Sequence, residues 1–228
     1  MIRSRSLLSI SLLIAFTLFI FFMSEFIRHQ LAEYELNSIF ISFCTGFILF
    51  VPLVSLILHP MIFVSEENKK LRTVKTLLAN IGLVFVVQFL FFIIWITDAI
   101  AVYSIYVDQT SFLAKAFNIT SENRSDLSVE FYWFNLILAW VFALLSLVVG
   151  LMPCLIARIK NKGVVDNFVA SFKFARRNKV IFLFSSFLIV LSVVFPLLYL
   201  NFLFIPLFPL ILTLVIVKLG KYYLKQND

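Results

Sequence analysis

The sequence predicts an all-α fold: a polytopic membrane helix bundle of six transmembrane helices, with both termini cytoplasmic and one in-plane amphipathic helix. Composition is the first reason. Apolar residues make up 62% of the 228-residue chain and charged residues only 14%, whereas soluble domains average roughly 45–50% and 25%. With a mean hydropathy of +1.06 and 29 phenylalanines, this is more apolar surface than one water-soluble core of this size can take in. The second reason is distribution, because the apolar residues fall in uncharged runs long enough to cross a bilayer, which takes about 20 residues at a rise of 1.5 Å. The third is the uneven placement of Lys and Arg between alternate connections.

Inside hydrocarbon every backbone polar group must be bonded within its own segment, so each run is read as a helix. The first span, 7–23, follows Arg3 and Arg5, and its end at Phe22-Met23-Ser24-Glu25 lacks the small-residue cleavage pattern of a secretory signal, so it is read as a retained helix. The second, 39–65, carries Pro52 near its middle, which removes a backbone hydrogen bond and predicts a bend. The third, 76–96, ends just before Asp98, with 99–107 continuing outside as a helix or interfacial segment. The fourth is 131–157. From Val180 to Val217 there is no charged residue, and a single helix of that length would be nearly twice as long as the bilayer is thick. Pro196, Asn201, Pro206 and Pro209 supply breakers, which predicts a hairpin of two spans, 180–199 and 202–219, with a re-entrant pair as the alternative.

Orientation follows from the cationic residues. With the N-terminus inside, sixteen of the nineteen Lys and Arg fall on inner segments, and only Arg28, Lys115 and Arg124 on outer ones, where Glu25, Glu33, Glu35, Asp108, Glu122, Asp126 and Glu130 collect. A net charge of +7 would suggest nucleic acid in a soluble protein; here it belongs to the inner membrane surface, and no nucleic-acid partner is expected. No repeat or linker divides the chain, so residues 1–228 are read as a single transmembrane domain.

Catalytic patterns are missing: there is no phosphate-binding loop, zinc-protease motif, nucleophile elbow or dinucleotide fingerprint among five glycines. No catalytic residue, cofactor or metal site is therefore expected. His29 and His59 fall on opposite membrane faces, as do Cys44 and Cys154, which argues against a shared metal site or a disulfide. Asp98, about 22 residues or ~33 Å into the third helix, reads as a hydrated carboxylate at the outer headgroups, with a cation or substrate contact inside the bundle as the functional rival. Gln88, nearer the bilayer centre, is expected to hydrogen-bond across to another helix, with a place in a polar pathway as the alternative. Asn118 and Asn123 open N-glycosylation patterns in the outer loop, and Tyr103, Tyr106, Tyr132, Trp133, Tyr222 and Tyr223 read as interfacial anchors.

The most distinctive stretch is 164–178. Val164, Val165, Phe168, Val169, Phe172 and Ala175 recur at helical spacing on one face, while Asp166, Asn167, Ser171, Lys173 and Arg177 take the other, with Phe174 the one apolar residue on the polar side. This predicts an in-plane helix whose Phe168 and Phe172 enter the acyl boundary while Lys173, Arg176 and Arg177 meet anionic headgroups.

A Gly-containing basic turn, this amphipathic helix ending in Arg-Asn-Lys, and an apolar hairpin together resemble the repeating unit of bacterial multi-pass inner-membrane proteins, similar to the membrane domain beside some glycerophosphodiester phosphodiesterases. The resemblance covers about 161–219; it implies a bacterial inner-membrane location and assigns no catalytic residue. The expected role is therefore that of a non-enzymatic subunit, scaffold or lipid-associated factor, with membrane lipids and a further membrane subunit as partners. The alternative is a permease subunit, similar in outline to ABC-2-type exporters, which would work with a separate ATPase.

Overall fold

A computed structural model describes residues 2–33, 37–62, 74–107, 124–159 and 163–227. Among them there is no strand. The helices are α1 (Ile2–Glu33), α2 (Phe40–Ile48), α3 (Val51–Ile62), α4 (Val74–Val107), α5 (Arg124–Leu145), α6 (Met152–Ile159), α7 (Val164–Arg177), α8 (Lys179–Tyr199) and α9 (Phe204–Asn227). Five segments are each long and apolar enough to cross a membrane: Ser9–Glu33, Leu78–Ala99, Phe131–Ala157, Lys179–Tyr199 and Asn201–Gln226. The pair α2–α3, bent by 42°, makes a sixth when counted as one broken span.

Side-chain contacts define the two ends of the bundle. At one end Arg28, late in α1, donates to the Leu197 carbonyl and, at 2.8 Å, to Asn201 Oδ1 in the α8–α9 turn. Its guanidinium also lies 4.7 Å from the centre of the Phe40 ring at the start of α2. The α8–α9 turn, the end of α1 and the start of α2 therefore share this end. At the other end Asn178 and Gln226 exchange hydrogen bonds of 3.1 and 3.0 Å, and Asn167 of α7 donates to Asn80 early in α4 at 3.4 Å. With Asn80 early in its course, α4 starts at this second end, which is also the end to which the N-terminal part of α1 and the C-terminal part of α9 run.

Residue distribution is inverted relative to a soluble protein. The inward face of α1 is Ser9, Leu13, Thr17, Ile20 and Ser24, while Phe19, Phe22 and Phe26 are each 60% exposed or more. Buried Ser and Thr recur in α2, α3 and α8, with Phe85, Phe89, Ile94, Phe184 and Phe187 turned outward. Small residues let helices approach where lipid removes the hydrophobic drive, and their hydroxyls bond back to the preceding turn, as Thr17 does to Leu13 O at 2.8 Å and Ser192 to Ile189 O at 2.8 Å. One close approach is at Gly46 of α2, where an added Cβ would lie 2.7 Å from the Trp95 ring.

Several boundaries differ from those the sequence predicts. The first helix extends ten residues beyond 23 to Glu33, so His29 sits on α1, 3.4 Å from Glu33 one turn on. Others agree: the third helix continues past Asp98 to Val107, as the stretch 99–107 allowed, and the hairpin turns at Leu200–Asn201, between the predicted spans 180–199 and 202–219, with the Leu200 N–H bonded to Pro196 O at 2.9 Å and with Pro196 and Pro209 tolerated inside α8 and α9. The fourth span keeps its range but is not a uniform α-helix: Ser146–Leu151 forms a π-helical turn between α5 and α6. Asn118, Asn123 and the basic residues Lys69, Lys70 and Arg72 lie outside the described residues.

Candidate functional site

Two places concentrate polar chemistry: α7, across one end of the bundle, and the middle of the bundle, where helices lose their regular hydrogen bonding.

Helix α7 starts after Gly163, whose backbone is extended (φ −62°, ψ 163°), and stops at Asn178. It spans from α4 to α9 by successive contacts: Asn167 with Asn80, Ser171 with the π turn, and Phe174 edge-on to Phe182 and Tyr223 at 5.6 and 5.2 Å. Asn167, Ser171 and Phe174 are therefore the buried face, at spacings of four and three. This corrects the sequence-based assignment, which put Asn167 and Ser171 toward water and treated Phe174 as misplaced. It also moves Tyr223 from an interfacial anchor to a core residue, while Tyr222 and Trp133 remain exposed. The predicted apolar face is largely free of protein: Val165 is 74% exposed, Phe172 53% and Val169 44%, with Phe168 and Ala175 half-buried at its edge. Lys173, Arg176 and Arg177 are exposed too, so of the five predicted surface residues four are exposed and Phe168 is half-buried.

The bond from Ser171 has a local cause. In the π turn the Met152 N–H reaches Leu147 O, five residues back, so the next donor in register to Val148 O would be residue 153. That residue is Pro153 and has no N–H. Ser171 Oγ supplies the missing donor to Val148 O at 2.5 Å. Pro153 inside an apolar run is the sequence signal that would have pointed to this irregularity.

At mid-bundle, Gly150 of the π turn faces the α2–α3 break so closely that a Cβ there would lie 2.5 Å from Pro52 Cγ and 3.0 Å from Gln88 Nε2. Gln88 is 5% exposed, yet among the described residues neither its Nε2 nor its Oε1 has a hydrogen-bond partner, and Ser146 Oγ in the π turn has none either. The expectation that Gln88 bonds across to another helix is thus not met among the described residues. Cross-helix bonding occurs instead one layer away, where Ser42 Oγ donates to Asn135 Oδ1 at 2.9 Å, Trp95 Nε1 donates to Ser42 O, and Asn135 Nδ2 donates to Phe131 O at 3.0 Å.

Asp98 is half-buried one turn beyond Trp95, with its Oδ2 unpartnered among the described residues. It is not brought together with Gln88, ten residues earlier on the same helix. Next to Trp95 an apolar groove of about 590 Å³, lined by residues such as Ile27, Leu31, Phe43, Phe47 and Phe92, opens between α1, α2 and α4; among the described residues no ionisable side chain lines it. Cys44 and Cys154 are both buried free thiols. Among the described residues no cluster of three His, Cys, Asp or Glu is placed to hold a metal ion. Comparison with known protein families, with curated proteins and with solved structures finds no match.

Proposed function

We propose that this multi-pass membrane protein is a non-enzymatic, lipid-associated subunit or scaffold of a bacterial inner membrane, with both termini and α7 on the cytoplasmic side. The observation that supports it best is the division of α7 into a polar face that docks on the bundle and an outward face on which Val165, Val169 and Phe172 stand beside Lys173, Arg176 and Arg177. An exposed apolar stripe edged by cations fits the headgroup–acyl boundary, where burial contributes ~25 cal/mol per Å² and each well-placed cation about 1 kcal/mol. The bacterial assignment draws on the resemblance of residues 161–219 noted above. Lys218, Lys221 and Lys225, on the same end of the bundle as Asn178, agree with the positive-inside reading.

A spin label at Val165 tests the lipid contact in bilayers: shallow burial in the acyl region is expected, and a mobile, fully water-exposed label overturns it. Engineered cysteines at Ser121 and Asn68 test the orientation, since only the first should react with an impermeant thiol reagent from outside intact cells. Purification in mild detergent, with identification of bound proteins and lipids, then separates the roles. A stoichiometric membrane partner supports a subunit. A co-purifying ATPase favours the permease reading, which has one observation on its side: the unpartnered Gln88 and Ser146 between a broken and a π-distorted helix.

A further inference from the structure

The geometry points to the cleft between α7 and α9 as a binding site for the phosphodiester headgroup of an anionic glycerophospholipid with free hydroxyls beyond the phosphate, the phosphatidylglycerol class. This rests on the reading of α7 as a lipid-facing helix and adds a specific ligand to it.

The cleft has a volume of about 310 Å³, within the range of roughly 300–1,000 Å³ usual for small-molecule sites. One wall carries Lys173 and Arg177, a helical turn apart, with Asp166 two turns earlier; the other carries Tyr223 and Gln226 of α9; Val169 and Phe174 add apolar surface. Neither Lys173 nor Arg177 forms an ion pair among the described residues. Both are therefore available, and one turn of spacing lets two cations converge on a single phosphate. The opposite wall is held in place: the Tyr223 ring packs edge-on to Phe174 at 5.2 Å, and the Gln226 amide is fixed by its two-way exchange with Asn178.

Two features select a lipid of this class over other phosphates. Val169 belongs both to the cleft and to the outward apolar stripe, so a bound headgroup would have its acyl chains led along Val169 toward Phe172. A soluble phosphate would leave that stripe uncovered. Asp166 sits about 10 Å from Lys173 along the helix axis, and helical side chains lean toward the N-terminus, which brings the cationic heads back toward it. A carboxylate there accepts hydrogen bonds from headgroup hydroxyls and repels additional negative charge, favouring a monoanionic diol headgroup over the more highly charged phosphomonoester of phosphatidic acid.

The test uses the full chain in phosphatidylcholine nanodiscs with spin-labelled lipids, reading the protein-associated fraction of each. The unaltered protein should prefer phosphatidylglycerol over phosphatidylcholine about tenfold. Lys173→Gln with Arg177→Gln should abolish that preference, whereas Lys218→Gln with Lys221→Gln, an equal charge removal outside the cleft, should keep most of it. Asp166→Asn should raise phosphatidic acid binding to the phosphatidylglycerol level. Equal losses from both charge pairs would reduce the site to general surface charge and overturn the proposal. Displacement of labelled phosphatidylglycerol by millimolar inorganic phosphate would overturn the lipid assignment. A label at Val165 separates the two levels of failure: in the acyl region with the preference unmoved by the cleft variants, only the cleft is refuted; in water, the lipid-facing reading of α7 falls as well.

Discussion

Two polar layers inside the same bundle behave in opposite ways. In the layer of Ser42, Trp95 and Asn135 the side chains bond across three helices: Asn135 accepts from Ser42 and donates to Phe131 O, and Trp95 donates to Ser42 O. In the layer of Gln88 and Ser146 the polar atoms are as deeply buried and find no partner among the described residues. Residue type does not separate them, since an amide and a hydroxyl occur in both. Helix regularity does. The first layer lies where α2, α4 and α5 run as uninterrupted helices. The second lies where α2–α3 is broken at residues 49–50 and the fourth span widens into a π turn, so Gln88 faces Gly150, which has no side-chain polar group to offer.

Substitutions at the two layers should therefore differ in size and sign. Gly150→Val is expected to be the most damaging, because its first added carbon already lies 2.5 Å from Pro52 Cγ; overpacking of this kind costs ~1–3 kcal/mol, and a melting temperature in detergent lower by roughly 4–10 °C is expected. Asn135→Leu should come next, at about 1–2 kcal/mol, since it leaves Ser42 without its acceptor inside the bundle. Ser171→Ala should cost about 1 kcal/mol by leaving Val148 O without the donor that replaces the missing Pro153 N–H, and increased amide exchange in α7 would mark the loosened helix. Gln88→Leu should cost least: replacing an unpartnered buried amide by an apolar group of similar size is expected to leave stability unchanged or raise it by up to ~1 kcal/mol. A loss from Gln88→Leu larger than that from Asn135→Leu would reverse the comparison. A loss of cellular function with stability intact would instead give Gln88 a role in a polar pathway.

The helical spans were legible in the chain because their signal is local: twenty apolar residues without charge suffice, and the fourth and fifth spans match their predicted ranges to within a residue. The amphipathic helix was legible for the same reason, and α7 covers Val164–Arg177 against a predicted 164–178. Which side of it faces protein was not. Periodicity turns the apolar stripe toward lipid and leaves the polar side to water, yet the bundle end offers Asn80, Val148 O and the Phe182–Tyr223 pair, so Asn167, Ser171 and Phe174 turn inward.

By itself, then, the sequence determined the fold class, the approximate ranges of most of the spans and the existence of α7, since each depends on composition over a window of one helix. Only the tertiary structure decided that Gln88 goes unpartnered while Asn135 is bonded, that Ser171 completes a turn broken by Pro153, and that Lys173 and Arg177 share a cleft with Tyr223 and Gln226. These depend on which atoms of distant segments meet. In a bundle surrounded by lipid that is settled by the close packing of glycines, serines and prolines, whose positions give hydropathy no signal.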